Sequence, residues 1–272
     1  ALLSSGMGLS IVFASQLAAW VRGAAGDEAW RTVYLIQAVI GGVTALTTIA
    51  MVRHSQGQLS AKGGIGGFDA LRRVPGWKPV TMMYTTFGFM YLLVLAFLTS
   101  RLEDDSGWSS NDASLAFTLV GVAMIFGGPI MAKAVTVFGM RASLASAFAL
   151  WSLVVITILP GWFIPTLTSA TFLGLIFASI PVTLTMYFVQ HAAPEDYAPG
   201  FSAATLAFGV AQMISPQIGG AVADWTSTFT WVLVLSAACA TVGIFGALGL
   251  PRSGARGPQK PLPFPRHQPL VA

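Results

Sequence analysis

The chain has 272 residues, of which 55% are hydrophobic and 9% are charged, and its formal net charge is +4. A soluble domain carries about 25% charged residues because its surface must be solvated, so this composition excludes an ordinary soluble enzyme, a disordered chain and a nucleic-acid-binding domain. It leaves a membrane protein. The single cysteine, Cys239, lies in an apolar run, which excludes a disulfide framework and a cysteine-based metal cluster.

Eight membrane-spanning helices are predicted along the chain. A spanning helix needs about 20 mostly apolar residues, and every Asp, Glu, Lys and Arg falls between eight charge-free windows or at their edges. The predicted fold class is therefore an all-α membrane protein, a polytopic helical bundle of eight transmembrane helices. The windows in chain order are Ala1–Val21, Thr32–Val52, Pro79–Ser100, Ala113–Ala132, Ala142–Pro160, Pro165–Gln190, Phe201–Ala223 and Phe229–Leu250.

The basic residues divide unequally between the two sides of the predicted membrane. Of the 14 Lys and Arg residues, Arg22, Arg31 and Arg101 fall in the odd-numbered connections, and all the others fall in the even-numbered connections and the C-terminal tail. Cytoplasmic loops carry the excess of basic residues, so both termini are predicted to be cytoplasmic. An acidic group that includes Glu103 and Asp105 falls on the opposite side.

The longest internal connection, residues 53–78, is predicted to be a cytoplasmic central linker. It is polar, basic and glycine-rich, but no strand precedes its glycines and no GxxxxGK[ST] motif follows, so a nucleotide site is not expected there. The linker separates two spans, residues 1–52, from six spans, residues 79–250. The tail, residues 251–272, is rich in Pro and Arg and is predicted to be disordered and cytoplasmic.

Two glycine-rich segments resemble the major facilitator superfamily of secondary transporters. The segment Gly127–Lys133, followed by Phe138–Arg141, is similar to that family's glycine-and-basic loop between its eighth and ninth helices. Ala132 stands near the position where the family pattern has an acidic residue. The run Gly209–Gly220, closed by Asp224, is similar to the family's eleventh helix.

Other residues resemble the bacterial YbfB/YjiJ-like branch of this superfamily. They are Gly88–Tyr91, Gly107–Trp108, and the arrangement of Gly209, Gln212 and Pro216. The resemblance implies a twelve-helix fold, no cofactor, and a location in the bacterial plasma (inner) membrane. The eight spans would then be helices 5–12, and the chain would be an N-terminally truncated fragment without helices 1–4. Residues 1–52 would be the last two helices of the N-terminal half, and residues 79–250 the C-terminal six-helix half, built from two inverted three-helix repeats.

Candidate substrate-binding residues are polar and aromatic groups that recur on one helical face, because only one face of a span borders a cavity. An unsatisfied polar group in hydrocarbon costs several kcal/mol, so a polar side chain in a span needs a hydrogen-bonding partner, and a bound solute is one such partner. For any single Ser or Thr the alternative is a bond to its own helix backbone. No formal charge lies near the middle of a span, so this half is expected to favour a neutral group, or the uncharged portion of a charged solute. The candidates are Tyr84, Tyr91, Ser179, Thr183 and Gln212.

The resemblance and the small residues supply two further sets of candidates. Those for a gating loop or a helix end are Gly128, Lys133, Gly139, Arg141 and Asp224. Those for close helix packing are Gly209, Pro216, Gly219 and Gly220. Leu233 is expected to face lipid. No metal site and no catalytic residues are predicted, because the three histidines lie far apart and no Ser-His-Asp set faces a common site.

Together these features predict a secondary active transporter that moves a small solute by alternating access. It would be monomeric, with a small-molecule solute and the lipid bilayer as its partners, no nucleic acid, and no enzymatic activity. Two alternatives stay open. One is a non-transporting integral membrane protein, such as an intramembrane enzyme or a scaffold, and the other is an inactive truncated remnant.

Overall fold

The computed structural model describes residues 2–26, 29–52 and 67–251. These residues are almost entirely helical and contain no strand. A π-helical turn, Arg101–Asp105, extends the fourth helix. The α-helices are α1 Leu2–Ala25, α2 Trp30–Val52, α3 Gly67–Arg73, α4 Trp77–Ser100, α5 Ser110–Phe138, α6 Met140–Ile158, α7 Phe163–His191, α8 Pro194–Thr226 and α9 Thr230–Leu248.

The long helices coincide with the predicted windows, and the predicted all-helical membrane fold is confirmed for the described residues. Each window falls on one helix, and seven helices, α2 and α4 to α9, are long and apolar enough to cross a membrane. Over the residues that the structure describes, α1 is not among the seven. The number of eight spans therefore stays a prediction.

Helix α3 lies inside the predicted linker, and the sequence pattern did not indicate it. Its Leu71 is 1% exposed and packs on α8, where a Cβ on Gly200 would lie 3.3 Å from the Leu71 backbone. Arg73 donates through Nε and Nη2 to the Asp196 carboxylate, with a shortest N–O distance of 2.6 Å. These hydrogen bonds raise the pKa of the Arg73 guanidinium. Residues 53–66 of the predicted linker and 252–272 of the tail lie outside the described residues.

The bundle has two ends, which differ in their loops. We call the end that holds α3 the linker end, and the end that holds the π-helical turn, with Glu103, Asp104 and Asp105, the acidic end. Helix α4 runs from the linker end to the acidic end, and α7 runs in the opposite direction. Leu233 on α9, expected to face lipid, is instead fully buried. Its helix packs between α4 and α6, so this face of α9 is covered by protein.

Helices α4–α9 pack as two triplets with the same pairwise contacts. Helix α4 packs against α8 as α7 packs against α5, and α4 packs against α9 as α7 packs against α6. If α4, α5 and α6 are taken as equivalent to α7, α8 and α9, each contacting pair in one triplet's set therefore has its equivalent in the other's. Because α4 and α7 run in opposite directions, the two triplets are related as an inverted repeat.

The two equivalent crossings, α4–α8 and α5–α7, are built on the same close approach of backbones. A Cβ on Gly88 of α4 would lie 2.7 Å from the carbonyl oxygen of Phe208, and one on Gly174 of α7 would lie 2.1 Å from that of Val120. Real Cβ atoms do not come so close to another atom, so each crossing requires a glycine. Nearby, Ser215 of α8 donates to the Phe89 carbonyl at 2.7 Å.

Each crossing has a second close contact, and the residues of these two contacts occupy equivalent positions in the two triplets. A Cβ on Gly127 of α5 would lie 2.2 Å from the carbonyl oxygen of Leu175. This contact is equivalent to the one between Ser215 and the Phe89 carbonyl. Leu175 is offset from Phe89 by as many residues as Gly174 is from Gly88. Ser215 is likewise offset from Gly127 by as many residues as Phe208 is from Val120. The contacts of the two crossings thus correspond residue by residue.

A buried arginine joins three connections at the acidic end. Arg101 donates through Nη1 to Ser106 Oγ at 2.5 Å and through Nη2 to the Leu159 carbonyl at 2.6 Å, and its Nε lies 3.4 Å from Asp105 Oδ2. The same Asp105 oxygen accepts the backbone N–H groups of Phe229 and Thr230 at 2.8 and 3.1 Å. A carboxylate at a helix N-terminus satisfies donors that the helix leaves open. The pair therefore holds the start of α9 against the end of α4.

Helix α1 lies against α5, although the sequence assigns the two helices to different halves. A Cβ on Gly8 would lie 2.6 Å from the carbonyl oxygen of Gly121. Ser15 donates to the Ser114 carbonyl at 3.1 Å, and Gln16 donates to Thr118 Oγ1 at 2.8 Å. Helix α2 is the least covered helix, since none of its spanning window is buried.

Replacing the glycine of one crossing tests this packing. We expect Gly174→Ala to lower the melting temperature of the full chain in detergent micelles, because the Val120 carbonyl is backbone and cannot rotate away. Such overpacking costs about 1–3 kcal/mol. Gly209→Ala is the matched control: no described atom lies within 4 Å of its Cβ position, and alanine favours a helix over glycine by about 0.5–1 kcal/mol. The melting temperatures are measured by size-exclusion chromatography after heating. Equal values for the two variants would contradict the close approach at Gly174.

Candidate solute-binding site

An aromatic cluster lies where α4, α7 and α8 meet. The Tyr84 ring stacks on Phe208 with 4.7 Å between centroids, and the Tyr91 ring stacks on Phe87 at 5.0 Å and meets Phe177 edge-on at 4.7 Å. The three α4 residues share one helical face, because they are spaced three or four residues apart. We call these five residues the aromatic cluster.

The polar groups of this region include one amide and two phenol hydroxyls. Gln212 on α8 donates through Nε2 to the Tyr91 hydroxyl. Tyr91 is 9% exposed and Tyr84 is 6% exposed, whereas Gln212 is half-buried. A buried amide without a partner is costly, so the Tyr91–Gln212 bond stabilises the junction between α4 and α8. The structure therefore brings three of the predicted substrate-binding residues together.

The other two, Ser179 and Thr183, make different contacts. Ser179 donates to the carbonyls of Leu175 at 2.6 Å and of Gly127 at 3.1 Å, and Thr183 donates to the Ser179 carbonyl at 2.9 Å. The bond to Gly127 crosses from α7 to α5, and the other two stay within α7. None of the contacts recorded for the described residues links these hydroxyls to the aromatic cluster.

The gating candidates lie at both ends of the bundle. Lys133 is exposed near the end of α5, Arg141 is half-buried in the first turn of α6, and Gly139 joins the two helices with a φ of 78°. That left-handed value favours glycine. Gly128 is buried within α5, and Asp224 is exposed at the opposite, acidic end of α8. The structure brings Lys133, Gly139 and Arg141 to one loop and leaves Asp224 apart from them.

The packing candidates on α8 differ in their surroundings. A Cβ on Gly219 would lie 2.5 Å from the Phe97 ring, so this glycine sits against α4. No described atom lies within 4 Å of the Cβ positions of Gly209 and Gly220, and Pro216 is half-buried inside the helix. Sequence reasoning missed Gly174, because nothing in its own segment tells which neighbouring backbone will cross there.

Among the cavities in the described part of the chain are two that are not lined by the tyrosines of the aromatic cluster. One, of about 430 Å³, is a mostly apolar groove between α4, α8 and α9 that includes Thr85, Phe89 and Cys239. The other, of about 380 Å³, lies between α1, α2, α4 and α5 and includes the ion pair of Arg22 and Glu103. No spacing pattern indicates this pair, since its members are far apart along the chain.

Comparison with known families matches the whole helical part of the chain. A family model described as "Uncharacterised MFS-type transporter YbfB" covers residues 1–248. The matched range ends with the last residue of α9, and it confirms the resemblance drawn from the sequence. Among curated proteins, no relative matches the chain.

A double-mutant cycle tests the Tyr91–Gln212 bond. We expect Tyr91→Phe to lower the free energy of unfolding by about 1–3 kcal/mol, because the Gln212 amide loses its partner. Tyr91→Phe combined with Gln212→Leu should cost less than the sum of the two single changes. Tyr197→Phe is the control, since it removes a hydroxyl for which the described residues offer no hydrogen bond. Strict additivity in a denaturant titration of the full chain would contradict the bond.

Proposed function

The chain belongs to the YbfB-like family of MFS-type transporters, and from that premise we propose that it moves a small solute across a membrane as a secondary active transporter. Transport would proceed by alternating access, in which one bundle of helices rocks against another around a fixed site. The inverted pairing of the triplets α4–α6 and α7–α9 supports this proposal, because it is the arrangement such carriers use.

The correspondence of helices follows from the same pairing. Helices α4–α9 would be the C-terminal six-helix half of a twelve-helix carrier, and α1 and α2 would take the places of helices five and six. The linker end carries Arg72, Arg73, Lys78, Lys133 and Arg141, so the positive-inside rule favours a cytoplasmic linker end and an outer acidic end. The loop with Lys133, Gly139 and Arg141 would then face the cytoplasm, where it could gate the inner opening.

The aromatic cluster together with Gln212 is the proposed site for the solute. It lies where α4 and α7, the first helices of the two triplets, contact each other, so a rearrangement of the triplets opens or closes it. The observation that carries the assignment is the Tyr91–Gln212 bond enclosed by rings. A solute could replace each partner of that bond, while the rings supply apolar area with a polar tip.

The chemistry of this site favours a neutral solute, or the uncharged part of a charged one. No formal charge belongs to the aromatic cluster or to Gln212, and a charge in hydrocarbon needs a partner. Ser179 and Thr183 would act in the α5–α7 crossing instead, since their hydroxyls bond to carbonyl oxygens there. In the structure the cluster is closed, so the solute would enter after α4 and α8 separate.

Transport by the complete carrier tests this site. A neutral solute would first be identified by thermal-shift screening and then used for uptake into proteoliposomes. Gln212→Ala should reduce uptake at limiting solute several-fold or more, because a lost hydrogen bond costs about 1 kcal/mol and more when its partner is left unpaired. Met213→Ala, one residue away and 72% exposed, is the control. If Gln212→Ala and Tyr84→Phe both transported like the parent, with equal membrane expression, the proposed site would be wrong.

Cysteine labelling tests the orientation. In a Cys239→Ser background, Asp104→Cys should react with an impermeant maleimide added to intact cells, because the acidic end is proposed to face outward. Arg72→Cys should react only after the membrane is opened. Both positions are exposed, so access to the reagent differs through the side of the membrane alone. Labelling of position 72 in intact cells would reverse the orientation.

A further inference from the structure

Helix α8 carries a stripe of rings and polar groups along one face. Its members are spaced by four, three and four residues, which places them on the same side of the helix. They are Phe201, Thr205, Phe208 and Gln212. Both phenylalanine rings are half-buried, and both contact Tyr84 of α4. The stripe therefore faces α4 and ends at the amide of the proposed solute site.

The ring of Tyr84 is stacked on both phenylalanines of the stripe. Its centroid lies 4.7 Å from that of Phe208 and 6.1 Å from that of Phe201, with angles of 22° and 29° between the ring planes. The two phenylalanines are seven residues apart, so about two helical turns, or roughly 10.5 Å, separate their backbones. Tyr84 thus occupies a space between two rings of one helix, and we call this space between Phe201 and Phe208 the α8 slot.

The α8 slot has a polar group on its backbone side. Thr205 lies between the two phenylalanines along α8, and its hydroxyl donates to the Phe201 carbonyl at 2.8 Å. The Thr205 oxygen keeps its lone pairs for another donor, and the Tyr84 hydroxyl interacts with this side chain. The slot therefore receives the two faces of a flat ring and a hydroxyl on its edge.

The ring that fills the slot belongs to a different helix from the slot itself. Only 17% of the spanning window of α8 is buried, so few contacts besides those with α4 hold this stretch of the helix in place. In the proposed transport cycle α4 and α8 separate to admit the solute, and the same separation withdraws Tyr84 from the slot. The two ring faces and the Thr205 hydroxyl then lack a partner until a solute supplies one.

We propose that the solute is a flat, neutral aromatic molecule with a hydroxyl group, and that it takes the place of the Tyr84 ring in the α8 slot. This inference rests on the proposed function, because it names the class of solute for the same site. Stacking between ring faces favours a flat ring over a saturated, puckered one of the same size. No residue of the stripe carries a formal charge, which favours a neutral solute. Tyr84 is then a competitor built into α4.

Binding of two alcohols with the same carbon skeleton tests the class of solute. β-Naphthol is flat and decahydro-β-naphthol is saturated, and both are uncharged at neutral pH. Each tritiated alcohol is titrated onto the full chain in lipid nanodiscs, and its binding to empty nanodiscs is subtracted to remove partition into lipid. We expect β-naphthol to bind at least fivefold more tightly than the saturated alcohol.

Removing the competing ring provides the second part of the test. Tyr84→Ala should bind β-naphthol at least fivefold more tightly than the parent chain, because a site that is closed for part of the time shows a reduced apparent affinity. The gain should be smaller for the saturated alcohol. A purely structural role of Tyr84 predicts no gain.

Changes in the walls of the slot provide the third part. Phe208→Leu keeps an apolar side chain but removes the flat ring, so it should weaken β-naphthol binding about fivefold and leave the saturated alcohol unaffected. Phe201→Leu makes the same change in the opposite wall and serves where the first variant fails to fold, as judged by size-exclusion chromatography. Phe97→Leu is the matched control, since this ring stacks on Phe229 at 5.8 Å, outside the aromatic cluster, and β-naphthol binding should not change.

Three results would overturn the proposal: no binding of β-naphthol to the folded chain, equal binding of the two alcohols, or no gain in Tyr84→Ala. The failure of this inference is distinguishable from that of the proposed function. If the two alcohols bind equally and Gln212→Ala weakens both, the proposed site stands and the flat-ring class is wrong. If β-naphthol binding responds to Tyr84→Ala and Phe208→Leu while Gln212→Ala transports like the parent, the slot stands without the Gln212 amide.

Discussion

Close backbone approach between helices is the constraint on which the rest of this structure depends. In hydrocarbon, helices gain little from burying apolar side chains against each other, so their association relies on van der Waals contact at short distance. Gly88 and Gly174 allow that distance in the α4–α8 and α5–α7 crossings. The same approach at Gly88 brings Phe208 within stacking distance of Tyr84. The aromatic cluster is thus a consequence of a crossing that only glycine permits.

The sequence predicts the long helices well because hydropathy determines them locally. The sequence selects Tyr84, Tyr91 and Gln212 as candidates, and the structure brings Gln212 against Tyr91. Phe87, Phe177 and Phe208 could not be selected. An apolar ring in a span looks the same whether it faces lipid or a neighbouring helix. Helix α3 could not be foreseen either, since its seven residues are too few for a periodic signal and are held by contacts with α8.

Charges outside the apolar windows do more than orient the chain. The sequence assigns them to loops, where an ion pair contributes little. In the structure Arg73 and Asp196 attach α3 to α8 at the linker end, and Arg101 and Asp105 tie three connections together at the acidic end. Only the second pair had a sequence signal, since its members are four residues apart. The first is formed by tertiary packing, and no spacing rule could reveal it.

The capping of α9 by Asp105 has a consequence for the order of assembly during synthesis. The Asp105 carboxylate and the Phe229 N–H group that donates to it are 124 residues apart along the chain. Asp105 and Arg101 therefore leave the ribosome long before either the α6–α7 turn or the start of α9 exists. Until those segments arrive, the Arg101 guanidinium has to stay hydrated at the membrane surface. Helix α9, which is synthesised after α4, thus completes the hydrogen bonding of a carboxylate from an earlier connection.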